Sequence, residues 1–377
     1  MNTEGKIGLH LHWDGSRITS ASITPRALPA IDALLCGKQP SQALQIIPAV
    51  FSLCGKAQAA AAAAALDAAQ SGGVPAVPPR RERLVLMEAL QELLWRFLLD
   101  LPRLAGLPPD VQCLASLRRR FAALAAPGID DAGWRRQLHE IESEAGSALL
   151  GSGMAALRES IDEQALLAVL AKANTVTGAS LLRCHQPSIP GASCTATLMP
   201  PVHAEHVQAV LLPALADDPD FALLPHWNGQ CMETGSLARM QDHPLIDALL
   251  RDAGPSPFAR LIARLYEIPQ LFADLLAETP SRQRWVQGLS PAPGIGVGWV
   301  QNARGLLLHH VALDSQGAIS AYRIVAPTEW NFHPAGPCAQ GLTGCAAASQ
   351  DEARACAEWL VQALDPCVSH QIEVDHA

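Results

Sequence analysis

The first apolar positions of the chain alternate. Ile7, Leu9 and Leu11 are interleaved with Gly8, His10 and His12, Asp14-Gly15 follows, and residues 18–23 run back. A period of two with an Asp-Gly pair predicts a β-hairpin, because that pair tolerates the positive φ of a tight turn. From residue 26 to 50 the period becomes helical, broken at Gly37 and Pro40. Ala57 to Ala69 is dominated by alanine and closed by Ser71-Gly72-Gly73. Alanine is the best helix former and the smallest side chain that permits close packing, so this helix belongs deep among neighbours. After a Pro/Gly linker at 71–80, Arg81 to Leu101 carries Leu84, Met87, Leu90, Leu94, Phe97 and Leu98 on one side, with Glu92 inside the helix. Further helices are predicted over 110–126, 131–149, 155–173, 236–252 and 256–278, with an irregular Pro-rich stretch at 175–235. Leu306–Leu313 and Ile319–Val325 flank Asp314-Ser315-Gln316-Gly317 as a second hairpin. Ser349 and Glu352 have the spacing of a capping box that opens a helix over 350–364.

Composition narrows the class. The chain has 377 residues, 49% of them hydrophobic, enough for one large core or two intimate ones. A net charge of −9 without a sustained Lys/Arg stripe argues against a nucleic-acid surface. The short basic clusters Arg80-Arg81, Arg118-Arg119-Arg120 and Arg135-Arg136 fall on helices and read as solvated faces. There is no apolar run long enough for a membrane span and no basic-then-apolar secretory signal. Ten cysteines without an export signal lead us to expect reduced thiols and a cytoplasmic protein. No two cysteines form a CxxC, which disfavours a zinc ribbon or a thioredoxin-type centre.

The candidate chemistry is therefore sparse. Asp365-Pro366-Cys367-Val368-Ser369-His370 puts a thiol and an imidazole within one turn of backbone, just after the last helix. Cys54-Gly55 opens the alanine helix, where the positive end of the helix dipole is expected to lower the thiol pKa. Either cysteine is equally consistent with a buried packing role. His10 with His12, and His203 with His206, have pair spacing without a third ligand at a known spacing. Pro293 to Gly298 lacks the spacing of a dinucleotide loop, and no helix follows it.

Taken in order, seven stretches carry a resemblance. Glu4-Gly5-Lys6-Ile7 stands for an E-G-H-L opening, and Cys36-Gly37-Lys38-Gln39-Pro40 for R-G-R-x-P. Ser52 to Ala57 stands for the start of R-x-C-G-x-C-x-x-x-H, and Met232 to Arg239 for M-E-V-G-P-L-A-R. Asn302-Ala303-Arg304-Gly305 stands for A-P-R-G, and Ala326 to Asn331 for V-P-T-x-W-N. Asp365 to Glu373 stands for the ending D-P-C-x-x-C-x-x-H. In this order and over nearly the whole length, the chain resembles the large subunit of [NiFe]-hydrogenases. The resemblance implies an α+β, mainly α fold: one domain over residues 1–377 with an N-terminal hairpin at 4–24, a helical core at 26–280, a β-hairpin at 300–328, and a C-terminal helix with the D-P-C motif at 350–377. The long helices would form a central bundle flanked by small antiparallel sheets, with both cysteine motifs meeting at its centre.

The departures are as informative. In the family the first cysteine of each motif is a terminal nickel ligand and the second bridges nickel and iron. Here Cys54 and Cys367 stand at the first positions, whereas Ala57 and His370 replace the second cysteines. Ala61 and Glu373 replace the motif histidines. Two thiolates and one imidazole do not make the four-thiolate set that a Ni–Fe centre requires. Arg304, Pro327 and Thr328 match residues around the iron's cyanide and carbonyl ligands. Asp365 and Glu4 match carboxylates near the metals, and Glu92 stands in for an aspartate. Asp32 falls at a magnesium-binding position whose histidine partner is replaced by Glu373, which makes magnesium doubtful. This pattern is most similar to the HupK/HoxV type of hydrogenase accessory protein. It implies a non-catalytic scaffold that holds an Fe(CN)2CO fragment on Cys54 and Cys367, with His370 auxiliary and no nickel. Its implied partners are HypC/HypD-type maturation proteins and the apo large subunit. A divergent catalytic subunit and a metal-free structural relative are the alternatives.

Overall fold

The N-terminal alternation forms the expected hairpin, β1 (Lys6–Trp13) against β2 (Ile18–Thr24), with Ile7, Leu9 and Leu11 turned into the core. In this computed structural model the described residues are 5–27, 30–51, 53–126, 128–155, 157, 162–186, 196–277 and 285–376. The far end of the chain completes the sheet. β9 (Ser369–His376) lies parallel to β1, pairing Leu9 with Ile372, so the strand order is β2-β1-β9. This sheet is therefore mixed rather than antiparallel. It packs on the helix Gln350–Leu364, which begins with the expected cap: Ser349 Oγ accepts from Glu352 N–H at 3.2 Å.

The alanine helix spans Gly55–Ser71 and is buried along nearly its whole length. Its neighbour is a four-stranded sheet in the order β5-β6-β7-β8: Val286–Ala292, Ile295–Asn302, Gly305–Leu313 and Ile319–Val325. The hairpin expected at 300–328 is the second half of this sheet. Residues 286–302 supply the first half, and the packing explains their glycines. A Cβ on Gly296 would overlap the carbonyl oxygen of Ala65, and one on Gly298 that of Ala61. Glycine on the strand and alanine on the helix thus let two backbones approach closely, at the expense of side chains on that face of the strand. Gly298→Ala should lower stability by about 1–3 kcal/mol or more, because the helix must move off the sheet to admit one methyl group. Urea unfolding of the variant beside the parent chain measures it.

The remaining helices surround this unit. Pro79–Trp95 and the buried Pro257–Leu276 share one large apolar cluster with Val111–Ala125, Asp131–Leu150 and Glu163–Ala173. Three boundaries differ from the periodicity. Pro79–Trp95 continues as a π turn at Arg96–Asp100 ahead of Pro102, whose missing N–H cannot sustain the α ladder. The helix expected over 236–252 is two, Ser236–Met240 and Pro244–Ala253, divided before Pro244. The stretch 175–235 is more ordered than it reads, with helices at Val176–Cys184 and from Ala204 to Asp217 and a parallel bridge of β3 (Thr197–Leu198) with β4 (Met232–Glu233). The first part of the helix expected over 155–173 lies largely outside the described residues. Among the described residues, no helix is long and apolar enough to cross a membrane.

Candidate metal-fragment site

The two cysteine motifs meet where the alanine helix begins and the C-terminal helix ends. Cys54 is the residue before the first turn of the alanine helix, 8% exposed, and lends that turn no side-chain cap. The helix donors are satisfied from outside: Glu88, on Pro79–Trp95, accepts from Lys56 N–H and Ala57 N–H, each at 2.8 Å. Cys367 follows Asp365, which ends the C-terminal helix in the left-handed region at φ 57°. Its Sγ lies 3.2 Å from Thr328 Oγ1, and Thr328 sits behind Pro327 at the start of the short buried helix Pro327–Asn331. The thiols are close enough that Cys367 disfavours ionisation of Cys54.

Burial, rather than the helix dipole, decides the protonation of Cys54. Its pKa stands well above the ordinary thiol value, first through desolvation and then through Cys367 and Glu92, with Arg304 opposing. Burial also raises Cys367, against the pull of Arg26, Arg304 and the Thr328 hydrogen bond. The lowered thiol pKa expected at a helix N-terminus is thus corrected. A dry site stabilises these thiolates only when a cation arrives.

Buried charge surrounds the pair. Asp365, with a fully buried side chain, faces three guanidinium groups: Arg96 Nη2 at 2.6 Å, Arg264 Nη1 at 3.1 Å and Arg304 Nε at 3.5 Å. Together these hold its carboxyl well below the usual range despite burial. Arg304 Nη1 also pairs with Glu92 Oε2. Desolvation pushes Glu92 up to about 7, with Arg304 opposing. The sign follows: the unfolded carboxyl ionises near 4.5 while the folded one keeps its proton until about 7, so Glu92 subtracts stability as pH rises through that window. Glu92→Gln should flatten the fall in unfolding free energy between those pH values, read from denaturation curves at a series of pH.

A second buried pair escaped the sequence reading. Arg26 follows β2 and binds Glu329, Nε to Oε1 at 2.6 Å and Nη2 to Oε2 at 3.3 Å, and its charge bears on both Cys367 and Cys54. Arg26, Arg96, Arg264 and Arg304 are thus met by Glu88, Glu92, Asp100, Glu329 and Asp365, and the thiols sit among opposed charges rather than beside a single sign. The motifs that flank Arg304 are interlocked by backbone. Asn331 Oδ1 accepts from Thr234 N–H at 2.9 Å, and Asn331 Nδ2 donates to the carbonyls of Thr234 at 3.0 Å and Arg304 at 3.4 Å. Gly305, at φ +130°, leaves the room that the Thr234 side chain fills. Arg304 is therefore fixed by M-E-T-G, N-A-R-G and T-E-W-N together.

Other expected residues are engaged elsewhere. His370 is on β9, and its Nε2 lies 2.9 Å from Glu358 Oε2 on the C-terminal helix. Among the described residues no three His, Cys, Asp or Glu side chains gather as a metal-binding group, so His370 does not join the two thiols. The physical reason is strand alternation: His370, Ile372 and Val374 face the helix that covers the sheet. Asp32 accepts from Tyr322 N–H at 2.8 Å, whereas Glu373 pairs with His10 at 3.2 Å across β1 and β9, so the magnesium pair is not assembled. His203 and His206 stack on each other at 5.7 Å. Glu4 lies outside the described residues.

The family model for nickel-dependent hydrogenase matches residues 261–372. The hydrogenase expression/formation protein HoxV of Cupriavidus necator is 32% identical, over 91% of this chain and 90% of its own. The chain belongs to the HupK/HoxV family of hydrogenase expression/formation proteins. HupK of Rhizobium leguminosarum bv. viciae is 30% identical over 99% of this chain and 97% of its own. The fold is that of the hydrogenase large subunit. The Ni-Fe-Se hydrogenase of D. vulgaris Hildenborough in the reduced state superposes with a TM-score of 0.64 over 97% of both chains, at 17% identity. This HupK/HoxV-family chain thus shares an architecture with an enzyme.

Proposed function

We propose that this chain is a non-catalytic maturation scaffold that carries an Fe(CN)2CO fragment from HypC/HypD-type maturation proteins to an apo [NiFe]-hydrogenase large subunit. The observation that carries the reading is the pair Cys54, buried, and Cys367, partly exposed, which lie together where the charges of Arg26 and Arg304 act on both thiols. Two soft thiolates suit low-spin iron, and the cation offsets the cost of ionising them in a dry site. Arg304 and the Thr328 hydroxyl supply donors of the kind that cyanide nitrogens accept, while Pro327 and Ala326 give an apolar wall suited to carbon monoxide. Asp365 and Glu92 keep Arg304 oriented, and Arg26, paired with Glu329, acts on the thiols through its charge.

Two thiolates hold less tightly than four, so the cargo can leave. A catalyst needs the reverse. The relatives named as hydrogenase expression/formation proteins support a role in assembly rather than turnover. The test is infrared spectroscopy with metal analysis on protein isolated anaerobically from cells containing the maturation machinery. Iron with CO and CN stretching bands and without nickel is the expected result, and protein free of iron and of both band types would overturn the reading.

A further inference from the structure

Behind Cys54 runs a chain of buried polar side chains that the cargo site does not use directly. Gln58 stands one turn into the alanine helix, and its Nε2 donates to Cys54 Sγ at 3.6 Å. Its Oε1 lies 2.8 Å from His309 Nε2 on β7, and His309 Nδ1 lies 2.7 Å from the Tyr322 hydroxyl on β8. Gln58, His309 and Tyr322 are each at most 1% exposed. Three polar side chains between an alanine helix and an apolar sheet face are costly to bury unless each is satisfied. Here each is satisfied by the next, and the series ends on sulfur.

The polarity of the series is fixed at one end. The Gln58 amide nitrogen faces the sulfur, so its carbonyl oxygen faces His309 and can only accept. His309 must then carry its proton on Nε2, leaving Nδ1 to accept from the Tyr322 O–H. Burial keeps this imidazole neutral, with its pKa lowered to about 3. The Tyr322 ring stands nearly perpendicular to the imidazole, at 87° with centroids 5.6 Å apart, and Tyr322 N–H is tied to Asp32. Each member is therefore held from two sides.

We infer that Gln58, His309 and Tyr322 are positioning residues that aim an N–H donor at Cys54 and thereby weaken it as an electron donor to the bound iron. The inference rests on the cargo reading above. A hydrogen bond to a thiolate withdraws charge from sulfur, and this is a known means of tuning metal–sulfur centres. A weakened thiolate suits a ligand that must give up its metal, and a leucine or methionine at position 58 would fill the space without this effect.

Two measurements test it. In metal-free protein, 15N NMR of labelled histidine, with His309 assigned by its loss in His309→Phe, should show the neutral Nε2–H tautomer. The Nδ1–H tautomer, or an imidazolium at pH 6, would overturn the assigned polarity. In cargo-loaded protein, Gln58→Met should move the CO and CN bands to lower wavenumber with iron content retained, because charge returned to sulfur reaches the iron and its diatomic ligands. Tyr322→Phe, which deletes one hydroxyl and keeps the fold testable if Gln58→Met does not, should shift the bands the same way by less. Bands unmoved in a folded, iron-bearing variant would sink the inference. Absence of bands in the parent protein would instead sink the cargo reading, and the tautomer measurement would still judge the relay.

Discussion

Cys54→Ala/Cys367→Ala is expected to abolish both iron retention and the CO and CN bands, leaving a folded, empty protein. In the proposed reading the thiols are the soft donors, and His370, held by Glu358, offers no substitute. Either single substitution should leave iron that is lost on desalting, since one thiolate holds it weakly. Folding is not expected to suffer much, because neither sulfur fills a large core volume and Cys367 retains partial exposure. Circular dichroism with iron analysis separates loss of cargo from loss of structure. Full iron retention by the double variant would remove both cysteines from the site.

Asp365→Asn should do the opposite, damaging the fold before it alters the ligands. The side chain is fully buried and neutralises part of Arg96, Arg264 and Arg304, so its loss leaves the three guanidinium groups with only Asp100 on Arg96 and Glu92 on Arg304 as paired acids among the described residues. Breaking a buried ion pair at one partner costs about 3–5 kcal/mol, which is a large share of a typical domain's stability. The pH dependence has a definite sign. The folded carboxyl is held below its unfolded value, so its contribution is complete above pH ~4 and is lost as pH falls toward the folded pKa. The variant should therefore lose the acid limb of the stability curve below pH 4, whereas the Glu92 effect lies between about 4.5 and 7. Acid denaturation of the parent and the variant, compared at equal ionic strength, checks both the size and the window.

The fold was legible where sequence and packing impose the same period. The β1–β2 alternation, the alanine helix and the Ser349–Glu352 cap all form as expected. It was illegible where packing overrides local preference. Gly296 and Gly298 weaken the strand signal because an alanine helix needs their space, and the alternating Ile295, Val297 and Trp299 are the sign that remains. The pairing of Cys54 with Cys367 joins opposite ends of the chain and could be anticipated from motif order but not from spacing. His370 was misread because the imidazole stands three residues from Cys367, although the alternation of His370, Ile372 and Val374 was the available sign of a strand. Arg26 and Glu329 carry no pattern at all beyond a charge at the end of β2 and an acid inside an otherwise apolar T-E-W-N turn. The depressed thiol pKa failed for a different reason: a helix dipole is a modest effect, and full burial outweighs it at Cys54.

The central claim is that iron held here is on its way elsewhere, and a chase of label tests that most directly. The protein, loaded with 57Fe in cells lacking the large subunit, is mixed anaerobically with apo large subunit and separated again. Mössbauer and infrared signals of the fragment should pass to the large subunit and disappear from this chain. A fragment that stays bound to Cys54 and Cys367 after prolonged contact, while the large subunit remains empty, would contradict the account.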